Sequence, residues 1–238
     1  MNNSEKKNNG DSKKIYSLLV LIAVVMIATT GGTYAYFAIK PQTNTAISGT
    51  AASASMTLGV KRITPSDTKW NGSTKKMVPQ LEETTNGSIL KSAMGDTYSC
   101  VDSNSNVVCQ VYEITVTNGG TAQTKVTGKI NFTLSGAMAN LKRKIYYSGT
   151  TKLTTATAAT KLATQAATQI TSGSDITLTT TDDQKTLKAT GVSGSVQYYY
   201  IVVWIDETNE VQTDTGTFTG TVTFQTPDGK GITSTIIS

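Results

Sequence analysis

Hydrophobic positions fall into one long uninterrupted block near the start of the chain and a succession of short alternating runs after it. The block, Ile15–Phe37 (IYSLLVLIAVVMIATTGGTYAYF), is uncharged, follows directly on Lys13 and Lys14, and passes from an apolar centre into small residues and aromatics. A basic start, an apolar core and a small-residue exit are the three parts of a secretory leader. Thr33-Tyr34-Ala35 puts small side chains at the two positions a signal peptidase buries, which predicts cleavage between Ala35 and Tyr36, with the next bond as the alternative. The competing reading is an uncleaved anchor, because the stretch exceeds the ~20 apolar residues that span a bilayer. Thr29–Thr33 interrupts the apolar run, which suits processing better. Either way the membrane contact runs through residues 15–37, the basic N-terminus stays cytoplasmic, and the chain beyond is exported.

Past the leader, residues 36–53 carry only scattered apolar side chains, among them Phe37, Ile39 and Ile47. Such a segment cannot cover its own hydrophobic groups, so it is a tether or a strand in want of a partner. Period-two alternation begins at Ser55, with Met56, Leu58 and Val60 on one face and Thr57 and Lys61 on the other. Prolines and Asn-Gly pairs make residues 64–96 a surface excursion, with a short helical turn at Ser88–Met94 and Trp70 as a lid on the core edge. A hairpin is predicted next, Thr97–Val101 and Val107–Thr117 around Ser103–Asn106. Asn118-Gly119-Gly120 then leads tightly into a strand over Ala122–Leu134, with Val126, Ile130, Phe132 and Leu134 inward. Leu141–Tyr147 is another strand.

The Thr/Ala-rich stretch near 150–173 reads as an insertion; Leu162, Ala166 and Ile170 have helical spacing, though threonine opposes a helix. Short strand-like runs follow at Asp175–Thr180 and Lys185–Thr190. Val196–Asp206 (VQYYYIVVWID) is so continuously apolar that it predicts a central strand covered on both faces. Gly216–Gln225 alternates Phe218, Val222 and Phe224 against a threonine row, and Ile232–Ile237 is the last strand. The pattern predicts an all-β protein, a jelly-roll-like antiparallel β-sandwich over residues 54–238.

Composition narrows the chemistry. The chain of 238 residues has no histidine, which removes the commonest general base and metal ligand together. The leader holds four lysines and two acids, leaving 17 basic and 14 acidic side chains, a net of +3. That is too mild, and too scattered, to argue for nucleic acid. Cys100 and Cys109 are the only cysteines. Folding the predicted hairpin sets them opposite each other, and outside the membrane a disulfide is the default. Two thiols without histidine complete neither a zinc site nor a catalytic pair.

Two acidic patterns call for weighing. Asp102–Asn106 matches the opening of a calcium loop with Glu113 at its twelfth position, but Val107 replaces the required glycine, so a hairpin turn is favoured. Asp206, Glu207, Glu210 and Asp214 crowd one loop and are the calcium candidates; a solvated turn is the commoner outcome. No other cofactor is expected. The Asn-X-Ser/Thr matches at Asn71, Asn86 and Asn131 carry no weight in so Asn/Ser/Thr-rich a chain.

The leader ending GGTYAYF (Gly31–Phe37), with CQVYEITVTN (Cys109–Asn118), YYYIVVWIDE (Tyr198–Glu207) and TGTFTGTVTF (Thr215–Phe224), resembles the TasA/camelysin family of Gram-positive surface and biofilm-matrix proteins. The resemblance implies a leader removed by a dedicated signal peptidase of the SipW type. It also implies a jelly-roll subunit that assembles head to tail into extracellular fibres, the freed N-terminal segment inserting as a donor strand, through Phe37, Ile39 and Ile47, into the next copy. The metalloprotease activity described for camelysin-like members does not carry over, since no H-E-x-x-H exists here. A structural, non-enzymatic role is therefore expected. The alternatives are a monomeric surface adhesion module and, third, a hydrolase built on the 206–214 carboxylates.

Overall fold

The computed structural model describes residues 49–50, 55–65, 77–80, 100–101, 106–207 and 215–237. The leader, Ala35 and Tyr36, Phe37, Ile39 and Ile47, Trp70, the 88–94 turn, Glu210 and Asp214 lie outside them. Twelve strands and one helix are described: β1 (Gly49–Thr50), β2 (Met56–Thr64), β3 (Gln110–Asn118), β4 (Thr124–Lys125), β5 (Thr127–Ala137), β6 (Leu141–Gly149), α1 (Thr155–Ala163), β7 (Thr168–Gln169), β8 (Asp175–Thr177), β9 (Thr186–Leu187), β10 (Val196–Ile205), β11 (Thr215–Gln225) and β12 (Gly231–Ile237).

Every strand pair is antiparallel. Sheet 1 runs β1-β2-β3-β10-β6-β7 and sheet 2 runs β12-β11-β5-β8, with β4 and β9 forming a small ribbon. The predicted alternation sets the faces. Met56, Leu58 and Val60 of β2, Ile130 and Phe132 of β5, and Phe218, Val222 and Phe224 of β11 are all buried. The two sheets pack face to face: Tyr199 of β10 lies 5.6 Å, centroid to centroid, from Phe224 of β11. Opposite Phe224 in the ladder is Gly128. A Cβ there would fall 2.5 Å from the Phe224 ring, so glycine leaves the space the ring occupies.

β10 is central and buried on both faces, as its continuous apolar run predicts. Tyr199, Ile201 and Val203 face sheet 2. On the other side Tyr200, Val202 and Trp204 form a second core with Val78, the Cys100–Cys109 disulfide, Val111 and α1. Val78, the disulfide and α1 thus make a third layer over sheet 1. Alone, a two-turn helix with three threonines would be marginal in water. Burial of Ala158, Ala159, Leu162 and Ala163 holds it, and Thr154 caps its start by accepting from the Thr157 N–H. Ala166, read as helical, lies beyond its end.

Three polar groups of sheet 1 anchor this layer. The Lys144 ammonium, buried, donates to the last-turn carbonyl of Ala163 at 3.0 Å. Tyr200 Oη accepts from the Leu153 N–H at 2.7 Å and donates to Glu113 Oε2 at 3.2 Å. Lys152 Nζ sits 3.0 Å from Glu113 Oε1, and this hydrogen bond raises the Lys152 pKa above its ordinary value. Glu113 is therefore engaged in structure.

Two expectations need correcting. The run Ala122–Leu134 is not one strand: it breaks at Val126, whose N–H bonds Lys185. The tight connection Asn118-Gly119-Gly120 carries the chain from sheet 1 toward sheet 2. The buried Asn118 amide ties that crossover by donating to the carbonyls of Ala122 and Lys188. Finally, the hairpin register is one residue off. Val101 pairs with Val107, not Val108, and Cys100 adopts φ +61°.

Candidate functional site

The disulfide expected between Cys100 and Cys109 is formed, with a Cα–Cα distance of 4.9 Å despite the register change. Both cysteines are fully buried against Trp204 and Tyr200. The bond thus holds Cys100 to the residue before β3, over the outer face of β10.

The acidic loop is only partly described. Asp206 Oδ2 is 2.5 Å from Lys142 Nζ, and Oδ1 accepts from Trp204 Nε1 at 3.4 Å. That carboxylate closes the end of β10 onto β6. Glu207 is exposed, with its N–H bonded to the Gln80 carbonyl. Among the described residues no group of three or more His, Cys, Asp or Glu side chains could hold a metal ion. Among them, too, no helix is long and apolar enough to cross a membrane.

The end of the N-terminal segment is visible as β1. Gly49 pairs with Leu58 and Thr50 with Thr57, at the β2 edge of sheet 1.

At the opposite edge the sandwich is open. β7 covers β6 only at Lys142 and Arg143. The Leu141 carbonyl points to that outer side, since it accepts from Ile170 N–H. By strand alternation the N–H and C=O of Ile145 and Tyr147 point there too, and no described strand lies beside them. Across the gap, β8 is an edge strand as well. Leu178 N–H bonds Gly128 of β5, so Asp175 and Thr177 turn their backbone groups away from β5.

Between these two edges lies a cleft of about 580 Å³; a second cavity, of about 530 Å³, lies between the end of β6 and the β4–β9 ribbon and shares Tyr147 with it. Ile145 and Ile176 face inward yet are only half-buried, unlike their fully covered neighbours Ile130 and Ile201. The Tyr147 ring packs tilted against Tyr199, centroids 5.0 Å apart, and burial, aided by the charge of Asp183, raises its pKa. Arg143 flanks the cleft, its guanidinium lowered from its ordinary pKa by burial. Asp175 is held below the usual carboxylate range by hydrogen bonds from Lys129 and Asn131. The slot thus offers free backbone groups on both walls and an incompletely covered apolar floor.

Sequence reasoning did not single out Ile145, Tyr147, Ile176 or Thr177 as a site. Strands as short as β7 and β8 leave too little alternation to show which part of a neighbour they cover.

No family model matches the chain, and no curated protein matches it.

Proposed function

We propose that the chain is an exported structural protein, a subunit of fibres or matrix on the surface of a Gram-positive bacterium. A signal peptidase removes the leader at Ala35–Tyr36. The freed segment 36–53 adds as a strand to a neighbouring copy, and the subunits run head to tail. In this reading the sandwich is of the jelly-roll kind; crossings between sheets after β3, β5 and β10 support it. One observation carries the assembly reading. Gly49 and Thr50, the end of that segment, are paired to β2 as an edge strand, which is the backbone pairing that strand addition uses.

Negative-stain microscopy of the protein secreted from the full chain tests this, together with N-terminal sequencing of the product. Filaments are expected, and a sequence beginning at Tyr36. Deleting residues 36–48 should leave folded monomers. Monomers from the undeleted protein would instead indicate a surface binding module, and a retained leader would indicate an anchor.

A further inference from the structure

We propose that the cleft between β6 and β8 is a binding site for an acidic saccharide, whose carboxylate sits on Arg143. The site belongs to a single subunit and does not depend on the assembly reading.

Arg143 carries the proposal. Leu141, Arg143, Ile145 and Tyr147 alternate onto the face of β6 that looks toward sheet 2. Among the described residues the Arg143 side chain has no hydrogen-bond or ion-pair partner. Its Nε is sealed from solvent without an acceptor, which leaves the two Nη groups as the open end of the guanidinium. Burial alone lowers its pKa, with no carboxylate offsetting the loss of water. Asp175, the one acid lining the same cleft, is already held by Lys129 at 2.7 Å and by Asn131 at 2.9 Å. Charges taken out of water are normally paired. An unpaired cation set into a cleft is thus matched by an anion from outside, and the two-pronged Nη end suits the two oxygens of a carboxylate.

The remaining lining indicates what bears that carboxylate. Tyr147 lies four residues from Arg143, ~13 Å along a strand at ~3.3 Å per residue. Its hydroxyl has no hydrogen-bond partner among the described residues, and its raised pKa keeps it a donor. Gln184 belongs to the same end, since its carbonyl accepts from Tyr199 Oη at 3.3 Å and Tyr199 packs on Tyr147. Gln184 Oε1 accepts from the Thr180 and Thr181 N–H groups, while its Nε2 is free to donate. Between the two ends lie the half-buried Ile145 and Ile176.

A sugar acid joined to a further ring meets all three features. Its carboxylate takes the guanidinium, its C–H face covers the isoleucines, and its hydroxyls, each both donor and acceptor, reach Tyr147 and Gln184. The cleft, about 580 Å³, lies in the size range of small-ligand sites. Arg143 is the one basic residue lining it, which matches a single negative charge better than the nearly two of a phosphate monoester. The free backbone groups of the β6 and β8 edges lie in the planes of their own sheets. Side chains are therefore what a ligand between the sheets meets, and a peptide main chain finds no ladder there.

Isothermal titration calorimetry of the purified protein tests this. The probes are trigalacturonate, trimannuronate and a hyaluronan tetrasaccharide, compared with neutral galactotriose, acetate and triglutamate. At least one acidic saccharide is expected to bind, at least ~10-fold tighter than the three comparison ligands, by the worth of hydrogen bonds to a charged group. Arg143→Gln should weaken it by about 10–100-fold and Tyr147→Phe by about 3–10-fold, the latter the worth of a neutral hydrogen bond, with circular dichroism unchanged. Arg143→Lys, which keeps the charge but not the fork, should remain weakened and serves as the second variant if Arg143→Gln does not fold. The proposal is overturned if none of the acidic saccharides binds, or if the Arg143 variants bind as the parent does. Acetate bound as tightly as the saccharides would make the cleft a simple anion pocket, and triglutamate bound as tightly would make it a peptide site; either result sinks the saccharide assignment.

Discussion

Truncating Leu162 to alanine tests whether the Thr/Ala-rich insertion belongs to the cooperative core. Leu162 is fully buried in α1, packed in the cluster that includes Val111, Val202, Trp204 and the disulfide. Removing a buried leucine to Cβ costs about 2–5 kcal/mol, depending on how far the surroundings collapse. α1 is an outer layer and can settle inward by a fraction of an ångström, so about 3 kcal/mol is the expected value. For a domain of this size each kcal/mol moves the melting temperature by roughly 2–4 °C, which gives a drop of about 6–12 °C. Near-ultraviolet circular dichroism melts of the purified protein read this directly. Thr160→Ala, on the exposed side of the same helix, is the control and should stay within about 0.5 kcal/mol. A Leu162→Ala shift no larger than the control's would show that α1 is an appendage and that something else covers Trp204.

Alkaline titration offers a second check. Burial pushes Tyr200 up to about 12, its acceptance of the Leu153 N–H opposing this, and pushes Tyr112 and Tyr199 higher still. Because these native values exceed the unfolded one near 10, their contribution is intact below pH ~10 and is lost as pH rises toward and past 12. Absorbance at 295 nm should show these three of the ten tyrosines ionising only as the fold is lost; full reversible titration near pH 10 with unchanged circular dichroism contradicts the burial argument. Replacing both cysteines with serine should lower stability by about 2–3 kcal/mol, the loop-closure value for so short a loop. Mild reductant should not touch the native bond, since both cysteines are fully covered; ready labelling of the folded protein would contradict that. Gly128→Ala forces the Phe224 ring off its site against Tyr199 and should cost about 1–3 kcal/mol, the range for overpacking; a neutral result in chemical denaturation would mean the ring moves freely.

Much of the sandwich is legible along the chain because period-two alternation is a local consequence of the strand itself. Met56, Leu58 and Val60, or Phe218, Val222 and Phe224, declare their buried face whatever lies beside them. The same locality explains the misreading at Val126: alternation continues through the residue where the chain leaves one sheet for another. Lys144 and Glu113 look like ordinary surface charges, and only the fold shows that one caps α1 and the other holds Tyr200 and Lys152.

By itself the sequence determined an all-β body, a strand buried on both sides and a cysteine pair within bonding reach. Each follows from residue type and short-range spacing. Only the tertiary structure decided what lies over the second face of β10, which carboxylate pairs with which lysine, and where the sheets are left unpaired. Those are matters of long-range register: where β7 stops along β6, and how β8 meets β5, are set by chain segments far apart in sequence.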